Sequence, residues 1–201
     1  MPLILRQSFP PDIELGIWEI IETEEKLLSG LELSPIDKDY ILNQPLEKRK
    51  IEKLACRKIV NHLIENSKVS INYGSFGNPL MKDYLVSFSH SKKYAAIALS
   101  KTKPVGIDIE KIEPKIIKLS SKFISQEEAI NIDLQDASQI TAIWTAKEAV
   151  YKLFYEEKLD FLKQIKVIKG EATVFLKDTP MKVQLFQNCL DNSCFSVAVR
   201  K

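Results

Sequence analysis

The sequence predicts an α+β protein built from two similar α+β halves. Three observations predict it. Two segments carry apolar residues at helical spacing, several short segments alternate as strands, and the order of helices then strands occurs twice. A proline-marked break at Lys101-Thr102-Lys103-Pro104 separates the two runs, giving halves of 1–103 and 104–201.

In the first half, Leu15 to Ile20 reads as a strand. Thr23-Glu24-Glu25-Lys26 has the pattern of a capped helix start, and Ser34-Pro35 sets a cap residue before a first-turn proline. From Pro45 to about Glu65 a long helix is expected. Leu46, Leu54, Ile59, Leu63 and Ile64 are its apolar positions, and Lys48, Arg49, Lys50, Lys53, Arg57 and Lys58 crowd its other faces. Such a cluster is either a solvated basic face or an anion site. Val69 to Tyr73 alternates, Gly74 to Pro79 is a turn, and strands Leu85–Phe88 and Tyr94–Ser100 flank a hairpin connection Ser89-His90-Ser91-Lys92-Lys93.

The second half opens on a strand, Val105 to Ile109. Ser125 with Glu128 three residues on is a capping box for a helix over Phe123 to Ile130. Ala137 to about Glu157 is the second long helix, with Ile140, Ile143, Ala146, Val150 and Leu153 as its stripe. Strands follow over Lys163–Ile168, Ala172–Leu176, Lys182–Phe186 and Phe195–Val199.

Bulk properties narrow the function classes. The 201 residues are 45% hydrophobic and 28% charged, with a net charge of +2, so no global basic field argues for nucleic acid or membrane. No run approaches the ~20 apolar residues of a membrane span. The N-terminus has no secretory pattern, and Cys56, Cys189 and Cys194 are an odd set without a framework, so a cytoplasmic protein with reduced thiols is expected. Cys189 and Cys194 supply half a metal site at most, with only His62 and His90 to complete it.

Three segments carry chemistry. In Gly106-Ile107-Asp108-Ile109-Glu110 a strand points Asp108 and Glu110 to one side and Ile107 and Ile109 to the other. Adjacent carboxylates repel unless a cation lies between them, and hard oxygen ligands suit Mg²⁺. A solvated acidic strand face is the alternative. In Trp144-Thr145-Ala146-Lys147-Glu148-Ala149-Val150-Tyr151-Lys152, Glu148 and Lys152 share a helix face. They are a surface ion pair, or a third metal ligand with a cation for phosphate. In Ser87-Phe88-Ser89-His90-Ser91, hydroxyls, an imidazole and turn amides suit phosphate oxygens, as they also suit a plain polar loop.

Together, in this order, the segments resemble the 4′-phosphopantetheinyl transferase superfamily. Its Gly-Ile-Asp-x-Glu strand and Trp-x-x-Lys-Glu-x-x-x-Lys helix stand here without a mismatch. Phe123-Ile124-Ser125-Gln126-Glu127-Glu128 is similar to the Phe-x-Ser-x-x-Glu element between them, and Ser89-His90 to the Ser-His of larger members. About half the chain precedes the Asp motif. That resembles the surfactin-synthetase-activating type, two related α+β halves forming a pseudo-twofold dimer in one chain, rather than the trimeric holo-acyl-carrier-protein synthase type.

The resemblance implies transfer of the phosphopantetheine arm of coenzyme A to a serine of an apo acyl or peptidyl carrier protein. It implies a Mg²⁺ or Mn²⁺ cofactor and a monomer. Asp108, Glu110 and Glu148 match the metal ligands. Asp108, Glu148 and Lys152 form the catalytic set, with Glu148 deprotonating the serine directly or through a water and Lys152 neutralising the pyrophosphate. Ser89 and His90 match the pair near the 3′-phosphate. Arg49, Arg57 and Lys147, with Lys152, join the coenzyme-binding set. Many members carry Gly-Lys-Pro ahead of Ser-His. This chain has Gly77-Asn78-Pro79, leaving Lys82, Lys92 or Lys93 to supply that charge.

Two other functions fit parts of the pattern. A non-catalytic homologue would bind coenzyme A or a carrier. A metal-dependent nuclease would use Asp108 with Glu113-Pro114-Lys115, but Pro114 breaks the strand that motif needs.

Overall fold

Antiparallel pairing builds one main sheet in each of two units, Met1–Thr102 and Lys103–Lys201, and the short strands β3 (Asn72–Tyr73) and β4 (Pro79–Leu80) pair separately in the first. The computed structural model describes residues 2–64, 70–177 and 179–201. It is mixed α and β throughout, as an α+β protein requires.

Unit 1 runs β1 (Leu3–Phe9), β2 (Ile13–Glu19), α1 (Glu24–Leu28), α2 (Pro35–Leu42), α3 (Glu47–Ile64), β3 (Asn72–Tyr73), β4 (Pro79–Leu80), β5 (Leu85–His90) and β6 (Tyr94–Ser100). Its main sheet has the antiparallel order β1-β2-β6-β5. Thr23 and Ser34 cap α1 and α2 as their side chains suggest, each accepting from the backbone N–H three residues on. The long helix α3 lies within the expected Pro45–Glu65 span. Leu54, Ile59, Val60 and Leu63 pack its apolar stripe on Trp18, Ala95 and Ile97 of the sheet.

Two expectations change here. The edge strand β1 is not evident in the sequence because only one of its residues in two or three packs inward. Its pairing with β2 from Leu3↔Trp18 to Phe9↔Ile13 makes it a strand. Ser89 and His90 were expected in a hairpin connection, yet both lie in β5, paired with Ala96 and Ala95. Only Ser91, Lys92 and Lys93 make the turn, closed by the Ser91 N–H donating to the Tyr94 carbonyl at 2.8 Å. Of the alternating segment Val69–Tyr73, only Asn72 and Tyr73 form strand, and Val69 lies outside the described residues.

Unit 2 begins with β7 (Val105–Lys111) and continues through a 3₁₀ segment (Pro114–Lys122), α4 (Gln126–Ala129) and α5 (Ala137–Leu153). A 3₁₀ turn (Tyr155–Glu157) follows, then β8 (Ile165–Ile168), β9 (Glu171–Leu176), β10 (Thr179–Leu190) and β11 (Ser193–Arg200). The sheet order is β7-β11-β10-β9-β8, antiparallel throughout.

The capping box of Ser125 and Glu128 is formed, but it opens a helix of only four residues. The helix expected to reach Glu157 ends at Leu153, and Lys158, with φ 49°, turns the chain away in a left-handed conformation. Ile140, Ile143, Ala146 and Val150 of α5 form the core with Val174, Val183 and Ala198 of the sheet.

Candidate active site on β7 and α5

The site begins with a glycine. A Cβ built on Gly106 would lie 1.9 Å from the Ala149 carbonyl oxygen and 2.9 Å from the Leu153 amide nitrogen. Only glycine lets the backbone of α5 approach β7 this closely. That approach brings Glu148 and Lys152, one turn apart on α5, beside the residues that follow Gly106 on the strand.

Lys152 Nζ stands 2.7 Å from Asp108 Oδ1 and donates to the Ile107 carbonyl at 2.9 Å. Asp108 is 4% exposed. Glu110, two residues on, accepts a hydrogen bond from Trp144 of α5. The Glu110 carboxyl is pushed up to about 7, by burial first and then by the charge of Asp108, against the pull of Lys152. Glu148 is likewise pushed up to about 7, by burial and then by Asp108, with Glu110 adding to it. Three carboxylates therefore share one electrostatic neighbourhood with the Lys152 ammonium, and Lys115 also acts on Glu110. Behind them the Thr145 and Ser196 hydroxyls share a hydrogen bond at 2.8 Å, with Ser196 paired to Asp108 across the sheet.

The donor set fits a hard divalent cation. All three side chains offer carboxylate oxygens, and burial of several negative charges without a compensating cation is costly. Among the described residues, no three His, Cys, Asp or Glu side chains converge as a ready-made cage. Lys152 occupies the compensating position on Asp108, so a metal held by Asp108, Glu110 and Glu148 needs these side chains to rotate inward.

Lys147 was expected with the coenzyme, but it faces the opposite way. It is 0% exposed. Its ammonium contacts Glu128 at 2.8 and 2.9 Å and donates to the carbonyls of Phe123 at 2.6 Å, Phe161 at 2.7 Å and Ile165 at 2.7 Å. Lys147 holds the core of unit 2 together and has no donor left for a ligand. Glu128 also accepts from the Val167 N–H at 2.8 Å, so the capping residue anchors the sheet as well.

Unit 1 gathers some of the other candidates. Arg49 Nη1 lies 3.0 Å from Glu52 Oε2 and 3.2 Å from His90 Nε2, while His90 Nδ1 lies 3.4 Å from the same Glu52 oxygen. Lys48 approaches the other Glu52 oxygen at 3.5 Å. Glu52, 2% exposed, thus orients three basic side chains. Glu52 is a residue the sequence analysis does not single out, and its spacing of three and four from Arg49 and Lys48 is the signal that could have found it. Beside it opens a recess of about 510 Å³ lined by Ile20, Ile51, Glu52, Lys48 and Lys92 among others. Ser89 is buried on β5, one residue from His90.

Arg57 is not brought to this group. It is 3% exposed, held by Asp37 through Nε at 2.9 Å and through Nη2, which also donates to the Tyr73 hydroxyl at 2.8 Å. Asp37 in turn accepts from the Ile71 N–H. Asn78 folds over its own turn, so that a Cβ on Gly74 would lie 2.5 Å from Asn78 Oδ1. Of the three lysines considered in its place, Lys92 lines the recess and Lys93 pairs with Glu19 at 3.0 Å.

Residues 104–193 match the family model described as the 4′-phosphopantetheinyl transferase superfamily. The chain is 32% identical over 84 residues to a 4′-phosphopantetheinyl transferase of Bacillus subtilis, covering 40% of this chain and 37% of that protein. It is 32% identical over 94 residues to the 4′-phosphopantetheinyl transferase gsp of Aneurinibacillus migulanus, covering 44% of this chain and 39% of that protein. The matched stretches therefore span well under half the length of either relative. Among the described residues no helix is long and apolar enough to cross a membrane.

Proposed function

We propose, from the match of residues 104–193 to the family model of the 4′-phosphopantetheinyl transferase superfamily, that this chain transfers phosphopantetheine from coenzyme A to a carrier-protein serine. The observation that supports the proposal is the forced approach at Gly106, which brings Lys152 of α5 onto Asp108, two residues before Glu110, with Glu148 one turn ahead of Lys152 on the same helix.

In the reaction the serine oxygen bonds to the phosphorus that bears the pantetheine arm. The bond from that phosphorus to the bridging oxygen breaks, and adenosine 3′,5′-bisphosphate leaves with its electron pair. The serine proton passes to Glu148, whose burial and acidic neighbours place it near neutrality, where a general base works best. Lys152 brings positive charge beside Asp108 and neutralises the pyrophosphate. Asp108, Glu110 and Glu148 would hold Mg²⁺ or Mn²⁺, which supplies charge neutralisation for the departing bisphosphate.

Arg49, His90 and Ser89 in the N-terminal half, 1–103, take the nucleotide 3′-phosphate. Glu52 aims the first two, and Lys48 and Lys92 stand nearby. The metal and the bond-making residues belong to 104–201. The protein works as a monomer in the cytoplasm, with coenzyme A as substrate and a carrier protein as partner.

The test is direct. Apo acyl and peptidyl carrier proteins are incubated with the chain, coenzyme A and Mg²⁺, and their intact masses are measured. The expected result is one added phosphopantetheine on a serine of at least one carrier. No gain on any carrier, with Mg²⁺ or Mn²⁺, overturns the proposal. Binding of the carrier without a mass gain would make the chain a binding homologue instead.

A further inference from the structure

Two cysteines that the proposed chemistry does not use face each other across a hairpin. Strands β10 and β11 are joined by the two residues Asp191 and Asn192, and the last pair before the turn is Leu190↔Ser193. In a two-residue hairpin that closing pair exchanges backbone hydrogen bonds. The next pair, Cys189↔Cys194, is therefore a non-hydrogen-bonded pair. The Cys189 N–H agrees, because it donates to Asn188 Oδ1 at 2.8 Å instead of across the ladder.

Non-hydrogen-bonded partners bring their Cα atoms to ~4.5 Å, with side chains on the same face of the sheet. Disulfides span Cα separations of ~4.4–6.8 Å, so this pair needs no backbone movement beyond small adjustment. Cys194 points to the first turn of α5. Its Sγ lies 4.0 Å from Ser138 Oγ and 3.8 Å from the Ser138 carbonyl oxygen. Burial, and then the neighbouring Cys189 thiol, push the Cys194 thiol up to about 12. Both are free thiols, and their exposure differs sharply: Cys189 is exposed and Cys194 is 1% exposed.

We propose that Cys189 and Cys194 are a reversible redox dithiol, closed to a cross-strand disulfide by small disulfide oxidants of the glutathione type. The exposed Cys189 sulfur attacks the oxidant and forms a mixed disulfide, releasing one reduced thiol. The Cys194 sulfur then attacks Cys189, forming the intrachain bond and releasing the second. Two protein thiols are oxidised, one oxidant disulfide is reduced, and the two protein protons leave with the two thiols. Cys194 is paired to Glu110 on β7, so the bond forms one strand away from the proposed metal ligands.

The native full chain is incubated with oxidised glutathione, unfolded, alkylated and digested with trypsin. No lysine or arginine lies between Val183 and Val199, so both sulfurs fall in one peptide ending at Arg200. That peptide is expected to lose about 2 Da, from two hydrogens, and to take no alkyl label. Dithiothreitol should restore both labels, while Cys56 labels in every sample. Cys194→Ser should leave glutathione trapped on Cys189, and Cys189→Ser should take neither adduct nor bond. A lasting glutathione adduct on wild-type Cys189, a disulfide-linked dimer on a non-reducing gel, or full labelling after oxidation would each overturn the proposal. Because the readout is mass alone, it stands apart from the fate of the transferase assignment.

Discussion

Each unit lays its longest helix across a strand at a glycine, an inner strand in unit 1 and an edge strand in unit 2, and the two crossings differ in what they hold. In unit 1, Gly16 of β2 meets α3 at Ile59. In unit 2, Gly106 of β7 meets α5 at Ala149. Each glycine is paired to its unit's last strand, Gly16 to Ile97 and Gly106 to Ala198. Two residues beyond each glycine, and three beyond each helix contact, a pair of side chains closes the crossing. In unit 1 it is Trp18 and His62, with ring centroids 5.5 Å apart. In unit 2 it is Asp108 and Lys152, an ion pair at 2.7 Å. One backbone plan thus accepts a ring pair or a charged pair. The candidate chemistry follows from side-chain choice at matched places, not from the plan itself.

The largest expected effect tests that division. Asp108→Ala should lose Mg²⁺-dependent transfer by about 10³-fold or more, since metal-based stabilisation of transition-state charge amounts to several kcal/mol. His62→Ala, at the matching crossing, should leave kcat unchanged. Equal losses in both variants would mean that the crossings matter only structurally. Circular dichroism should confirm that Asp108→Ala still folds.

Next comes Glu148→Gln, which keeps size and helix propensity. Loss of a general base costs about 10²–10⁴ in rate. Saturating Mg²⁺ should restore this only in part, with coenzyme A affinity changed little by calorimetry. Full rescue would make Glu148 a ligand alone. Normal turnover would make it a surface partner of Lys152.

The glycines give a smaller, structural contrast. Gly16→Ala would set a Cβ 2.3 Å from the Ile59 Cγ2 methyl, whereas Gly106→Ala would set one 1.9 Å from a backbone carbonyl. A side chain shifts more cheaply than a helix backbone. Urea melts should show Gly16→Ala destabilised by about 1–3 kcal/mol and Gly106→Ala by more. The reverse order would mean that α3 is the more tightly seated helix.

The smallest effect is a pH signature of unit 1. Burial pushes the Tyr73 phenol up to about 12, and the neighbouring Arg57 pulls against it. A folded pKa above the unfolded one stabilises the fold below the unfolded value of ~10 and is lost as pH rises to 12. Ultraviolet titration should show one tyrosine ionising late, and Tyr73→Phe should remove it.

The sequence makes much of this legible. Asp108, Glu110, Glu148 and Lys152 stand at strand and helix spacing that predicts their shared side, and the caps at Thr23, Ser34 and Ser125 form as read. What it hides are contacts decided by partners distant in the chain. Arg57 reads as one more basic helix residue until Asp37 and Tyr73 enclose it. Lys147 belongs to the same motif as Glu148, yet one residue around α5 means the core rather than the helix face that carries Glu148 and Lys152. Strand β1 needs β2 beside it before its pattern has meaning.

Lys147 also carries a consequence for chemical labelling. An ammonium held by a carboxylate and three carbonyls, with no solvent contact, has no free lone pair to offer an acylating reagent. In native protein treated with an amine-reactive ester, Lys147 should therefore stay unmodified while exposed lysines such as Lys118 react within the same exposure. Its modification would then time the opening of unit 2, and the label at this single position would count the molecules that had unfolded.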